Sequence, residues 1–297
     1  MTEARPVLAV TMGDPAGIGP EIAGKAHEDP RITELCETVL YGPHSEAELK
    51  AFERGRVTAT AGRAAYDAIV RAVEDAKAGR IDAIATAPIN KEAFAAAGLR
   101  WPGHTELLAE LTGAPRVRMM FYADQLKVVL ATVHLPLARV PSALTRETVE
   151  ETIGLAASEL PRFGVASPRL AMCGLNPHAG EQGLIGTEER EVLSPAIGAC
   201  RARGIDVHGP FPADTIFGRA IRGEFDAVIA CYHDQGLIPI KLVAFGRAVN
   251  VTLGLPILRT SVDHGTAFDI AGKGVADPSS LVAAVQLAAR LACPERA

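Results

Sequence analysis

The chain has 297 residues, of which 48% are hydrophobic and 22% are charged, and its formal net charge is −5. This length is sufficient for two domains with buried cores. A mildly acidic chain lacks the broad basic surface that nucleic acid or an anionic membrane requires, so we expect neither as a partner.

Targeting signals and disulfides are not expected either. The apolar run before Gly13 is only six residues long, which is too short for a secretory signal or a membrane span, and no later run approaches the roughly 18 residues that a span needs. The five cysteines are scattered and form no CxxC pair. We therefore expect a soluble, cytoplasmic protein.

Short β-branched runs alternate with alanine-rich helical patterns along the chain, which is typical of a largely parallel sheet. The pattern predicts strands at Val7–Met12, Thr38–Tyr41, Ala83–Ala87, Val128–Val133, Leu170–Leu175, Ala227–Tyr232 and Ala248–Leu253. The helix signals comprise a capping box at Ser45 and Glu48, an apolar stripe over Arg63–Ala78 that ends at Gly79, an N-cap at Thr145, and a last helix from Asp277–Pro278 to Arg290.

Three of the predicted strands lead into a histidine. VVLATVH ends in His134, LAMCGLNPH ends in His178, and AVIACYHD reaches His233. Open α/β sheets bind ligands at the carboxyl ends of their strands, so these histidines can converge. Three neutral imidazoles with an open position suit a catalytic divalent metal. A single histidine in such a place is more often an ordinary hydrogen-bonded residue, so the prediction depends on all three sharing the pattern.

Polar residues surround the third histidine and the last predicted strand. Asp234 follows His233, Lys241 comes eight residues after it, and Asn250 and Arg259 flank the run VTLGLPIL. A lysine, an amide and an arginine near one set of strand ends could bind phosphate or carboxylate, with Arg259 as an exposed cleft residue. The alternative is that the lysine and the arginine are solvated surface residues.

Two glycine-rich segments and one loop complete the set of candidates. GDPAGIGPE (Gly13–Glu21) follows the first strand and opens a helix, a position where backbone N–H groups can approach an anion. DHGTAFDIAGKG (Asp263–Gly274) is a second segment of this kind, and PGHTE (Pro102–Glu106) places His104 and Thr105 in a loop.

The chain resembles the 4-hydroxythreonine-4-phosphate dehydrogenase family of vitamin B6 biosynthesis. The resemblance covers nearly the whole chain in six ordered motifs: GDPAGIGPE, GHTE, ATVHLPL, CGLNPHAGE, YHDQGLIPIK and VNVTLGLPILRTSVDHGTAFDIAGKG. It implies an α/β fold similar to the isocitrate and isopropylmalate dehydrogenases, with two α/β/α domains flanking a cleft. The first domain would comprise residues 1–103 and 265–297 and the second residues 104–264. It also implies a homodimer whose metal site takes histidines from both subunits.

Roles are implied for individual residues of this sequence. Metal ligands would be His134, His178 and His233, with zinc as the expected ion and magnesium or cobalt as alternatives. The substrate would be bound by His104, Thr105, Lys241, Asn250 and Arg259. Lys241 or Asp234 would transfer the proton, and NAD (or NADP) would lie on the second glycine-rich segment, at Gly265, Thr266, Asp269 and Gly272.

The implied reaction is the NAD- and metal-dependent oxidation, with decarboxylation, of 4-phosphooxy-L-threonine to 3-amino-2-oxopropyl phosphate. Within the family, erythronate or threonate 4-phosphate is an alternative substrate, and a cis-dihydrodiol is less favoured because it carries no phosphate. From another class, a metal-dependent hydrolase or aldolase could use the same histidines. The chain is also shorter than is usual for the family, between Tyr41 and Ala65, which could alter the mouth of the cleft.

Overall fold

The computed structural model describes residues 5–43 and 45–293. Ten strands lie in this part of the chain: β1 (Val7–Thr11), β2 (Glu37–Tyr41), β3 (Ala83–Thr86), β4 (Arg118–Ala123), β5 (Leu126–Leu130), β6 (Leu170–Cys173), β7 (Val207–Phe211), β8 (Ala227–Ala230), β9 (Val249–Leu253) and β10 (Leu258–Ser261). All seven predicted strands are present. Strands β4, β7 and β10 were not predicted.

Twelve α-helices are found among the described residues: α1 (Gly19–His27), α2 (Pro30–Thr33), α3 (Glu46–Lys50), α4 (Ala59–Lys77), α5 (Lys91–Ala96), α6 (His104–Thr112), α7 (Val140–Ala143), α8 (Arg146–Glu159), α9 (Ser194–Ala202), α10 (Ala213–Ile221), α11 (His233–Ala244) and α12 (Ser279–Ala292). None of them is long and apolar enough to cross a membrane.

The predicted helix signals are mostly confirmed. The side chains of Ser45 and Thr145 accept hydrogen bonds from backbone N–H groups at the starts of α3 and α8. Gly79 follows α4 with a φ of +69°, in the left-handed region that favours glycine. The last helix begins at Ser279, one residue later than predicted, and Asp277 Oδ1 accepts a hydrogen bond from Ser279 N at its start.

The chain divides into two compact units. Unit 1 comprises Met1–Val117 and Val249–Ala297, and unit 2 comprises Arg118–Ala248. Residues 104–117 and 249–264, which we assigned to the second domain from the sequence, therefore fall in unit 1. The physical reason is that β10 pairs with β3 and β9 pairs with β10, while Leu107 and Leu108 of α6 pack in the core of this unit.

Unit 1 has the strand order β2-β1-β3-β10-β9. The first four strands are parallel and β9 runs antiparallel to β10. Leu8 and Val10 face a core formed with α1 and α12, whereas Ala9 faces a second core formed with α4, α5 and α6. This alternation along β1 produces three layers, with helices on both faces of the sheet.

Unit 2 has the strand order β4-β5-β8-β6-β7. Strands β5, β8, β6 and β7 are parallel, and β4 is antiparallel to β5. Val128 and Val228 face a core formed with α10 and α11. Val129 and Ile229 point to the opposite face and are also buried, so this sheet is covered on both faces as parallel sheets require.

Candidate active site

The three histidines follow the carboxyl ends of three adjacent parallel strands of unit 2. His134 lies four residues after β5 and His178 five residues after β6, while His233 lies three residues after β8 and is the first residue of α11. The strand order β5-β8-β6 places all three at one edge of the sheet. This is the edge at which open α/β sheets bind ligands.

Two of these histidines are close neighbours. The ring centroids of His134 and His233 are 5.7 Å apart with an interplanar angle of 43°. Among residues 5–43 and 45–293, however, no group of three or more histidine, cysteine, aspartate or glutamate side chains could hold a metal ion. The described chain therefore brings His134 and His233 together, and His178 does not complete a three-ligand group with them.

Asp234 and Lys241 share helix α11 with His233. The Asp234 Oδ1 atom is 2.7 Å from His233 Nδ1, so with the proton on Nδ1 the carboxylate accepts it and leaves Nε2 as the free ligand atom. Asp234 and Lys241 are seven residues apart, two turns of helix, and so lie on the same side of α11. Both predicted proton-transfer groups thus lie on the helix that begins with His233.

His178 lies in a turn of unusual backbone conformation. Within Pro177–Gly183, four residues other than glycine have φ between 43° and 56°: His178, Ala179, Glu181 and Gln182. A left-handed residue other than glycine costs roughly 1–2 kcal/mol, and runs of them are rare. Such strain persists where the surroundings impose it, which is common at functional sites.

Buried polar side chains hold this turn. The half-buried Asn176 donates from its backbone N–H to Glu189 Oε1 over 2.7 Å and from Nδ2 to Glu189 Oε2 over 3.0 Å, and the Glu189 side chain is buried. Gln235, two residues after His233, accepts from Cys231 N over 2.7 Å and donates to Gly174 O over 2.8 Å. Gln235 therefore joins the ends of β8 and β6, from which His233 and His178 follow.

Arg259 is buried within unit 1, not exposed and flanking a strand as the sequence suggested. It lies on β10, in the middle of the sheet, and is only 2% exposed. Its Nη1 donates to Thr252 Oγ1 over 2.9 Å and its Nη2 to Thr86 Oγ1 over 2.7 Å. The expectation of an exposed arginine is wrong because its partners are hydroxyls on adjacent strands, which the sequence does not place beside it.

This buried guanidinium has no carboxylate ion-pair partner in the described ranges. Burial lowers the pKa of Arg259 to about 9, against a smaller opposing effect of Glu106, so the side chain remains charged at pH 7. Its Nε is buried and makes no hydrogen bond to any described residue. A buried cation with a free donor has the chemistry to hydrogen-bond an anion.

His104 and Asn250 present further unused polar atoms in unit 1. His104 Nε2 and Asn250 Oδ1 are both buried without a hydrogen-bond partner among residues 5–43 and 45–293. Burial, reinforced by the charge of Arg259, lowers the pKa of His104 well below its usual value, so the ring is neutral at pH 7. Thr105 is half-buried in the first turn of α6, one residue after His104. Lys241 lies in the other unit, on α11.

Sequence reasoning missed a row of polar side chains beside Arg259. Thr11, Thr86 and Ser261 are the last residues of β1, β3 and β10 and stand in register across the sheet, and Asn250 of β9 is opposite Ser261. Thr11 and Thr86 each end an otherwise apolar strand, VLAVT and AIAT. A hydroxyl residue at the end of an apolar strand was the sequence signal for this row, because an apolar core would not select hydroxyl residues there.

The predicted nucleotide segment packs on the first glycine-rich turn. Ile18 N donates to Thr266 O over 3.0 Å, and a Cβ on Gly17 would lie 2.9 Å from Thr266. Gly265, Asp269 and Gly272 are exposed, and Thr266 is half-buried. Glycine at position 17 is therefore required by the close approach of the two segments, and it leaves the exposed face of Asp263–Gly274 accessible.

Fold and site together define an α/β enzyme whose polar residues gather at the carboxyl ends of parallel strands. The family model described as pyridoxal phosphate biosynthetic protein PdxA matches residues 21–288. The chain therefore belongs to this family. The family and its named relatives are dehydrogenases, so the predicted oxidoreductase class is confirmed.

Similar proteins span nearly the whole chain. A 4-hydroxythreonine-4-phosphate dehydrogenase of Desulforapulum autotrophicum is 45% identical, over 97% of this chain and 96% of that protein. A D-threonate 4-phosphate dehydrogenase of Cupriavidus necator is 44% identical, over 98% and 99%. The crystal structure of the Klebsiella pneumoniae 4-hydroxythreonine-4-phosphate dehydrogenase has a TM-score of 0.88 at 41% identity, over 98% and 99%.

A more distant structure supports the predicted fold class. A β-decarboxylating dehydrogenase of Thermococcus kodakarensis has a TM-score of 0.52 at 18% identity, over 93% of this chain and 80% of that one. At this identity the likeness shows the fold alone. The expected α/β fold of the isocitrate and isopropylmalate dehydrogenase type is confirmed.

Proposed function

We propose that this enzyme oxidises 4-phosphooxy-L-threonine with NAD and releases CO₂ to give 3-amino-2-oxopropyl phosphate. The observation that carries the proposal is the buried Arg259 guanidinium, which has a free Nε and no carboxylate ion pair among the described residues. A phosphate or carboxylate group of the substrate would supply the missing anion. The name of the Desulforapulum relative supports this substrate.

Several residues of unit 1 would complete the substrate site. His104 is neutral and keeps Nε2 free, so it can donate or accept one hydrogen bond. Asn250 and Thr105 would add neutral polar contacts to the same substrate. Lys241 would contribute a second cation and, with Asp234, is a candidate for removing the hydroxyl proton.

A divalent cation, with zinc as the expected ion and magnesium or cobalt as alternatives, would acidify the substrate hydroxyl and polarise the carbonyl that precedes decarboxylation. His134, His178 and His233 would be its ligands. The close approach of His134 and His233, and the contact of Asp234 with His233, fit a metal-binding role. NAD or NADP would occupy the exposed glycine-rich segment at Gly265, Thr266, Asp269 and Gly272.

The enzyme would act as a homodimer in the cytoplasm, with the metal site shared between two copies. Helix α11, which begins with His233, and Phe245, the residue directly after it, present an apolar stripe to solvent: Ile238, Leu242 and Phe245 are 60%, 81% and 82% exposed. The spacing of four residues places Ile238 and Leu242 on one side of the helix, and Phe245 follows at its end. A second copy would cover this stripe and bring its own histidines near His233.

D-threonate 4-phosphate is the alternative substrate, favoured by the 44% identity to the Cupriavidus enzyme. It keeps the phosphate and replaces the amino group by a hydroxyl. A hydrolase or aldolase is disfavoured because the relatives are dehydrogenases.

NADH formation at 340 nm would be followed with 4-phosphooxy-L-threonine and with threonate and erythronate 4-phosphates, using metal-free enzyme and enzyme resupplied with zinc, magnesium or cobalt. The proposal expects the highest kcat/KM for the amino compound and no rate without metal. A higher kcat/KM for threonate 4-phosphate would establish the alternative, and no NADH with any of the three would overturn both.

A further inference from the structure

Two buried polar groups near the end of β1 take no part in the contacts proposed above for the substrate, the metal and the nucleotide. Thr11 and Asp14 are both 0% exposed. Within residues 5–43 and 45–293, Thr11 Oγ1 and Asp14 Oδ2 have no hydrogen-bond partner. Leaving such groups unpaired in the interior is costly, so each needs a partner that is not a described side chain or backbone group.

The neighbouring threonine, Thr86, differs from Thr11 because its hydroxyl is hydrogen-bonded. Thr86, in register with Thr11 on β3, accepts from Arg259 Nη2 over 2.7 Å and donates to Ser261 Oγ over 2.9 Å. Thr11 lies two residues after Ala9 and so on the same face of the sheet, the face that carries α4 and α6. The Thr11 hydroxyl therefore extends the polar row beyond Arg259, with its own hydrogen-bonding capacity unused.

Only one of the two carboxyl oxygens of Asp14 has a hydrogen-bond partner among the described residues. Its Oδ1 accepts from Ala16 N over 2.8 Å, and its backbone N–H donates to Pro88 O over 3.0 Å. The turn that starts here continues to Gly17 and Ile18, which pack on Thr266. Along the chain, Thr11 and Asp14 thus connect the polar row, which Thr11 ends on the β1 side, with the turn that packs on the glycine-rich segment proposed for the nucleotide.

We propose that Thr11 and Asp14 bind the carboxamide end of the nicotinamide ring. In a hydride transfer the nicotinamide is the part of the dinucleotide that must meet the substrate, so it has to lie between the substrate site and the rest of the nucleotide. A carboxamide offers an N–H donor and a carbonyl acceptor, which match the Asp14 carboxyl oxygen and the Thr11 hydroxyl. This inference rests on the proposed NAD-dependent function.

The test is the affinity for NADH compared with that for ADP-ribose, which lacks the nicotinamide. Thr11→Val removes the hydroxyl at nearly constant shape, and Asp14→Asn retains an oxygen for Ala16 N. We expect Kd for NADH, from fluorescence titration, to rise about 5-fold in Thr11→Val and at least about 10-fold in Asp14→Asn, because the second contact involves a carboxyl group. The Kd for ADP-ribose, from calorimetry, should stay unchanged in both.

Stability supplies a second readout. Because Thr11 Oγ1 has no partner in the described chain, Thr11→Val should leave the Tm of the enzyme without nucleotide unchanged or raise it. The matched control is Thr260→Val: this buried hydroxyl lies on the opposite face of β10 and donates to Ala284 O over 2.9 Å. Its loss should lower the Tm and leave both affinities as in the wild type.

Three outcomes would overturn the inference. Unchanged NADH affinity in both variants would mean that the two groups hold only water. An equal loss of NADH and ADP-ribose affinity would place them away from the nicotinamide. A loss confined to the phosphorylated substrate would assign them to the substrate site. If the wild-type enzyme fails to bind NADH at all, the proposed cofactor itself is wrong, and this result is distinct from the other three.

Discussion

Replacing Arg259 with methionine tests the anion site directly. Methionine is unbranched and apolar, so it fills much of the space of the arginine side chain without its charge. The change removes two hydrogen bonds, to Thr252 and Thr86. Thr86 keeps its bond to Ser261, whereas the Thr252 hydroxyl loses its bond from Arg259, at a cost of about 1–3 kcal/mol.

The stability of Arg259→Met should nevertheless change little. Removing a buried charge that has no ion-pair partner relieves its desolvation penalty, which is on the order of several kcal/mol per ion. The two effects oppose each other, so we expect the free energy of unfolding to stay within about 2 kcal/mol of the wild-type value. Urea unfolding measures this difference.

Catalysis should suffer far more. A charge-assisted hydrogen bond contributes about 1.5–3 kcal/mol, so kcat/KM for the phosphorylated substrate should fall about 10- to 150-fold, while the KM for NAD stays constant. Inorganic phosphate should raise the Tm of the wild-type enzyme and not that of the variant. The exposed Arg222, changed to methionine, is the matched control and should behave as the wild type.

The reasoning fails if Arg259→Met loses about 4 kcal/mol or more of stability while the folded fraction keeps its full kcat/KM. That result would make the guanidinium a structural element of the sheet. A rise confined to the KM for NAD would instead move Arg259 to the nucleotide site.

Three further predictions concern the metal, the dimer and pH. Alanine at His134, His178 or His233 should abolish binding of the divalent ion with the fold retained; full retention in any two variants, by metal analysis, would contradict the assignment. Leu242→Asp on the apolar stripe of α11 should give a monomer of low activity in sedimentation and assays, and a fully active monomer would refute the shared site. Because the pKa of His104 is lowered in the fold, the unfolded chain takes up a proton below pH about 6.5 that the folded chain does not. The free energy of unfolding should therefore decrease as the pH is lowered below that value, by up to ~1.4 kcal/mol per pH unit. Urea titrations in which His104→Asn has the same pH slope as the wild type would contradict this prediction.

The strands could be predicted wherever apolar residues dominate them. All seven such runs are strands, and three of them lead to the histidines, so the edge of the sheet that carries the candidate site was also predictable. Strand β10 was missed because its sequence, Leu258–Ser261, contains an arginine and two hydroxyl residues. Pattern reasoning treats such residues as exposed, and only pairing with β3 and β9 buries them.

The local backbone conformation of the site could not be predicted from the sequence, for a different reason. The left-handed turn at His178 includes residues that seldom adopt positive φ, and its conformation depends on long-range contacts such as those of Glu189 with Asn176. Likewise, nothing in the sequence pairs Gln235 with Gly174. Contacts of this kind arise from tertiary packing, which local propensity does not report.

The order of the strands along the chain affects how unit 1 folds during synthesis. In its sheet β3 is paired with β1 on one side and with β10 on the other, yet all of Arg118–Ala248 is synthesised between them. At about 5–20 residues per second, the newly made β3 waits on the order of ten seconds for β10. Unit 2 is contiguous and can fold during that interval, while β3 remains an apolar edge strand open to wrong pairing. The edge of β3 in the nascent chain is therefore open to wrong pairing until β10 emerges from the ribosome.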